Sequence, residues 1–100
     1  MRFALACAAA LLAAPALAQD VVAFNGRDSV RLTSRPCTSE QVLGGVPQAF
    51  RASLREATAV VEGQSYKACW LPRGDDAHLL YEDGDQGLIP MSDFKAPTSA

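Results

Sequence analysis

The side chains best suited to metal binding or catalysis are carboxylates, which concentrate in two short stretches at residues 75–76 and 82–85. Carboxylate oxygens are hard ligands of the kind that calcium prefers, and two neighbouring carboxylates can also share the acid and base roles of hydrolysis. Asp83 and Asp85 are therefore weak candidates for a metal site or a carboxylate pair. Their spacing lacks the alternating ligands and the distant glutamate of an EF-hand loop. We expect polar turn chemistry here and no physiological metal site.

Other kinds of catalysis have little support in the sequence. His78 is the single histidine, and it lies beside Leu79 and Leu80 in a pattern typical of a strand. No Gly-x-Ser-x-Gly motif or comparable frame surrounds a serine. A chain of this length also has little room for a deep pocket. We therefore expect that the protein is not an enzyme and that it needs no cofactor.

Three aromatic residues give the best lead to a binding surface, namely Tyr66, Trp70 and Tyr81. Tyrosine and tryptophan are enriched at protein interfaces, so an uncovered sheet face that carries all three would be a contact patch. The alternative is that they fill the core of a domain that has few other large side chains. Alternation along a strand places Tyr66 and Trp70 on one face and Cys69 on the other, and we expect Trp70 to be at least partly in the core.

Cys37 and Cys69 are the two cysteines expected in the mature chain, and we expect them to form one intramolecular disulfide. A bridge between them closes a loop of roughly 30 residues, which the chain-entropy model credits with about 3 to 4 kcal/mol. The alternatives are a zinc pair, for which His78 alone leaves too few soft ligands, and an intermolecular bridge. A redox pair is disfavoured because the two cysteines lack C-x-x-C spacing.

The first 18 residues have the layout of a secretory signal peptide. A positive start at Arg2 precedes an apolar run, and a small-x-small triplet ends at Ala18. This order predicts cleavage between Ala18 and Gln19 and export to the periplasm or the outside of the cell. The apolar run is too short for a membrane anchor, since a spanning helix needs about 20 residues.

The mature chain has a mild acidic balance. Of the 100 residues, 18 belong to the signal peptide, which leaves 82 and the material for one small domain at residues 19–94. Loss of Arg2 lowers the nine basic residues to eight against eleven acidic ones, a net charge of −3. Nucleic acid and anionic lipid both need a cationic surface, so neither is expected as a partner. The oligomeric state stays open.

The pattern of the mature chain predicts an α+β fold. Val21–Val22–Ala23–Phe24, the dipeptide Asn25-Gly26 and an alternating stretch to Thr33 indicate an N-terminal β-hairpin. Apolar residues at spacings of three and four then predict one amphipathic helix over residues 47–57. Turn signals every 8 to 12 residues predict an antiparallel β-meander of three or four strands up to Pro90. Residues 58–61 suit either a last helical turn or a strand, and we favour a strand. We expect a flexible tail at residues 95–100.

The motifs P-C, Y-x-A-C-W, E-D-G-D and P-x-S-x-F follow one another from residue 36 to residue 94. In this combination the chain resembles a set of small exported proteins of proteobacteria and their phages, whose function is unknown. The resemblance implies a disulfide and a β-rich domain, and it implies no catalytic residue.

Three functional hypotheses remain. The first is an exported binding or accessory module with one disulfide, either envelope-associated or phage-associated. Its partner would be another envelope or extracellular macromolecule, bound through a sheet face or an open edge strand. The second is a minimal hydrolase or calcium-dependent protein that uses the acidic turns. The third is a structural protein without a ligand.

Overall fold

A computed structural model describes residues 20–97 of the protein. In this range a six-stranded antiparallel sheet forms in sequence order, so that each strand pairs with its neighbours along the chain. The strands are β1 (Val21–Asn25), β2 (Asp28–Pro36), β3 (Arg55–Val61), β4 (Gln64–Arg73), β5 (Asp76–Tyr81) and β6 (Gln86–Pro90). Two four-residue helices, α1 (Glu40–Leu43) and α2 (Gln48–Arg51), separate β2 from β3, and a 3-10 helix (Met91–Asp93) follows β6.

The sheet is curled, and this architecture overturns the α+β prediction, because the described chain is mostly β. The predicted helix over residues 47–57 is wrong, since α2 ends at Arg51 and β3 begins at Arg55. Ala57 and Ala59 are each 1% exposed and pair with β2 on one side and β4 on the other. Two ladders of hydrogen bonds and this alternate burial outweigh a weak local preference for helix.

The meander is also larger than predicted. The N-terminal hairpin forms as expected, yet it is part of the same sheet, because β2 pairs with β3. Its turn is shifted by one residue from the predicted Asn25-Gly26: Asn25 pairs with Asp28, and Gly26 occupies the first central position with φ of +66°. Glycine at that position is the arrangement of a type II′ turn. The strand favoured for residues 58–61 is confirmed as the second half of β3.

One face of the sheet curls around a core that is rich in alanine. Its buried members are Ala23, Leu32, Ala57, Ala68, Ala77, Leu79 and Phe94. Trp70 and Tyr81 pack against this core from β4 and β5. Small side chains on the inner face leave space that larger ones would fill, and the inner face remains open at one end.

The opposite face of the sheet is covered by the connection that carries α1 and α2. The predicted disulfide between Cys37 and Cys69 is confirmed, with the two Cα atoms 5.6 Å apart. Both cysteines are buried together with Val42 of α1 and with Leu54, which is 1% exposed. The bridge therefore attaches the connection to the sheet at its centre, on β4.

The 3-10 helix returns the chain from β6 to β1. The N–H of Val22 donates to the carbonyl of Lys95 at 2.8 Å, and the N–H of Lys95 donates to the carbonyl of Val22 at 2.9 Å. The regular structure therefore reaches into the stretch from residue 95 for which we expected a flexible tail. The predicted signal peptide and its cleavage position at Ala18 and Gln19 lie outside the described residues, as do residues 98–100. Among residues 20–97 the helices are all too short to cross a bilayer.

Candidate functional site

The open end of the curled sheet forms a groove between β1 and β6, which we call the β1–β6 groove. Its volume is about 520 Å³, and its apolar floor consists of Ala23, Val30, Ala59, Val61, Tyr81 and Ile89. Ala23, Val30 and Ala59 are direct partners across β1, β2 and β3, so they lie in one row on the inner face. The groove is thus the part of the inner face that the core does not fill.

Large apolar side chains are exposed around this groove. Phe24 of β1 is 75% exposed, Leu88 of β6 is 52% exposed and Val61 of β3 is 39% exposed, and all three line the groove. Single exposed apolar residues are ordinary on protein surfaces, whereas several around one concavity mark a site of interaction.

Within residues 20–97 the outer edge of β1 is paired at one residue only, Val22. Both backbone groups of Val22 point away from β2, because they bond to Lys95. In an antiparallel ladder the direction alternates, so Phe24, two residues on, also directs its N–H and C=O away from β2. No backbone partner for Phe24 occurs on this side within residues 20–97.

As far as the structure describes the chain, the outer edge of β6 is open along its whole length. The N–H of Met91 bonds to Asp75 and the carbonyl of Asp85 accepts from Tyr81, so odd-numbered residues of this segment face β5. Gln86 and Leu88 therefore direct their N–H and C=O outward. Pro90 has the same outward register, where its missing N–H costs no ladder bond. No strand of the described chain pairs with this edge.

The charged groups that line the groove are both acidic. They are Asp28 at the hairpin turn and Asp93 in the 3-10 helix, and within the described part of the chain no lysine or arginine lines the groove. The Oδ1 atom of Asp28 accepts a hydrogen bond from the N–H of Glu62 at 3.1 Å. The groove therefore combines an apolar floor with a negatively charged rim.

Tyr81 links this groove to the acidic turn that follows β5. Burial, followed by the carboxylates of Asp85 and Asp83, raises the pKa of the Tyr81 phenol above its usual value of 10.0. The phenol consequently stays neutral over the physiological range and can act as a hydrogen-bond donor.

The three aromatic residues that the sequence singled out all lie on the inner face of the sheet, because Tyr81 pairs with Ala68, which stands between Tyr66 and Trp70 on β4. Their surroundings differ. Tyr81 lies on the groove floor, whereas Trp70 is half-buried on the core, with its indole N–H donating to the carbonyl of Thr33 at 2.9 Å. Tyr66 is 42% exposed, and its hydroxyl bonds to the side chain of Gln64. A second, somewhat smaller depression is lined by both Tyr66 and Tyr81, and Trp70 is not part of its lining.

The acidic turns do not converge on one place. They lie at opposite ends of β5, a six-residue strand whose length is about 20 Å. Asp83 accepts a hydrogen bond from the N–H of Asp85 at 2.9 Å, as in an ordinary polar turn. No group of three or more potential metal ligands occurs in the part of the chain from residue 20 to residue 97. His78 is engaged with the side chain of Gln86 at 2.8 Å.

A scan against family models and searches of curated proteins and solved structures give no significant match.

Phe24 and Leu88 are the groove residues that sequence reasoning missed. A signal for Phe24 exists, because it stands beside a tight turn and alternates with Ala23, which any half-buried strand would place inside. The exposure of Leu88 is harder to predict from the sequence, because Leu88 and Ile89 are adjacent and only the strand register shows which of them faces the core.

Proposed function

We propose that the mature chain is a small exported binding module that engages another macromolecule of the cell envelope or extracellular space through the β1–β6 groove. The observation that carries this proposal is the cluster of exposed apolar side chains, led by Phe24 and Leu88, around an apolar concavity. Such a surface loses unfavourable contact with water when a partner covers it.

Other features support the exported part of the proposal. The signal-like first 18 residues and the disulfide both suit an oxidising compartment. The resemblance to small exported proteins of proteobacteria and their phages points to the same setting, either envelope-associated or phage-associated. A purely structural role offers no reason for a phenylalanine to be 75% exposed beside an open groove.

The proposal is a binding role without catalysis. Among residues 20–97, Asp28 and Asp93 are the only carboxylates that line the groove, and Asp28 already accepts a backbone hydrogen bond. A hydrolase would need an acid and a base placed together on a bound substrate. The groove supplies contact area instead of such a pair.

The test is site-specific photo-crosslinking in the cells that produce the protein. A photoreactive phenylalanine analogue replaces Phe24 in one variant and Phe50 in a matched control, because Phe50 is also an exposed phenylalanine, at 55%, but does not line the groove. We expect a discrete crosslinked product from position 24 and none from position 50. The absence of any product at position 24, or the same product from both positions, would refute the proposal.

A further inference from the structure

We infer that the occupant of the β1–β6 groove is an extended segment of another polypeptide, which adds to the outer edge of β6 as a further strand. This inference rests on the proposed function and states which kind of partner the groove binds. A folded surface or a small molecule would use the apolar floor, but neither would use the backbone groups that the strand edge presents.

The outward backbone groups of β6 are the first argument. Gln86 and Leu88 each present one N–H and one C=O with no partner in the described chain. An added strand pairs with such groups at every second residue, which is the geometry of recognition by β-strand addition. Pro90 lacks an N–H and ends the usable edge, so the added segment pairs along residues 86–89.

The chain itself shows that strand edges around this opening accept an extended segment. Lys95, which follows the 3-10 helix, makes two backbone hydrogen bonds with Val22 on the outer edge of β1. Phe24, the next outward residue of β1, is beyond the reach of that bridge and is highly exposed. The opening between β1 and β6 is thus closed at one end by the chain's own backbone and continues as an unfilled groove at the other.

The charge of the groove decides between a partner polypeptide and a second copy of this chain. Asp28 and Asp93 give the groove a negative rim, and the mature chain is itself acidic overall. A second copy would bring its own acidic rim to the same place, whereas a segment with lysine or arginine would complement it. Side chains of a strand point alternately to its two faces. We therefore expect the partner segment to place apolar residues on the groove floor and to carry at least one lysine or arginine among the residues between them.

The experiment is a display selection of random peptides on the oxidised, immobilised protein, with the Leu88→Pro variant as the counter-selection. Proline at position 88 removes an outward N–H without removing a ladder bond, as Pro90 does in the natural chain. Circular dichroism and the melting temperature check that the variant folds. We expect enriched peptides with alternating apolar residues and at least one lysine or arginine.

Affinities of one selected peptide, made synthetically, then test the backbone contacts. Loss of one or two backbone hydrogen bonds corresponds to about tenfold weaker binding. We expect a loss of this size when alternate amides of the peptide that face β6 are N-methylated, and little loss when the intervening amides are methylated. Leu88→Pro should bind about tenfold more weakly than Leu88→Ala, which removes the side chain but keeps the N–H. If Leu88→Pro does not fold, the affinities of the two N-methylated peptides for the natural protein test strand addition without it.

Two results would overturn strand addition. One is a selection that enriches nothing over the counter-selection, and the other is binding that tolerates both sets of N-methyl groups. If crosslinking at Phe24 still yields its discrete product, the binding module stands and only the nature of its partner is wrong. A concentration-dependent dimer in sedimentation that Leu88→Pro abolishes would instead identify a second copy as the occupant.

Discussion

Removal of the disulfide should destabilise the protein by an amount that follows from its place in the chain. Cys37 and Cys69 are 32 residues apart, and a cross-link over that span corresponds to about 3 to 4 kcal/mol in the chain-entropy model. We expect the variant with Cys37→Ala and Cys69→Ala to lose about that much free energy of unfolding. A domain of this size has a net stability of about 5 kcal/mol, so the variant should fold with a small margin.

The loss should be uneven along the chain. α1 has four residues and is held on the sheet by Val42 and by the bridge, whereas the strands are held by their ladders and by the separate core on the inner face. A helix of one turn has no stability of its own. We therefore expect amides of residues 40–46 to exchange with solvent much faster in the variant, while amides in the β3–β4 ladder keep the protection that the remaining global stability allows.

Urea unfolding followed by the fluorescence of Trp70 measures the first effect, and hydrogen exchange by NMR measures the second. The oxidised natural chain and the same chain under a reducing agent are the controls, and the reduced chain should match the variant. A stability difference below about 1 kcal/mol would refute the entropic argument. Equal loss of protection in α1 and in the β3–β4 ladder would show that the two faces unfold as one unit.

Two further perturbations test the inner face. Trp70→Phe leaves the half-buried carbonyl of Thr33 without its donor, and we expect a loss of about 1 to 3 kcal/mol in urea unfolding; a change near zero would mean that water replaces the indole. Because burial raises the pKa of Tyr81, the folded chain keeps this proton to higher pH than the unfolded chain does, so the free energy of unfolding should fall as pH rises above about 10. Ultraviolet titration should show a late tyrosine ionisation that Tyr81→Phe removes, and an unchanged late phase in that variant would refute the assignment to Tyr81.

The parts of the fold that are local in sequence could be predicted. Turn residues mark the hairpin of β1 and β2, and the bridge between Cys37 and Cys69 follows from the count of cysteines. The error in the hairpin is one residue, because Asn25-Gly26 suits two turn registers and only the pairing with β3 selects one of them.

The parts that depend on distant pairing could not be predicted. Leu54 and Ala57 fit a helical stripe as well as they fit a turn followed by a strand. What decides is that β3 lies between β2 and β4, which is not visible in a window of a dozen residues. The groove escaped prediction for the same reason, since β1 and β6 come to line one groove when the whole sheet curls. The aromatic patch of Tyr66, Trp70 and Tyr81 remains a prediction, although the indole N–H of Trp70 already donates a hydrogen bond within the fold.

The bridge between Val22 and Lys95 has a consequence for how this domain can be joined to other proteins. Its two backbone hydrogen bonds, of 2.8 and 2.9 Å, bring the place where the chain enters the sheet beside the place where it leaves. A unit with adjacent entry and exit points can be spliced into a surface loop of a host protein without forcing the loop apart. The domain is therefore suited to insertion into a host protein. The β1–β6 groove would stay intact there, because no host residue is needed to form it.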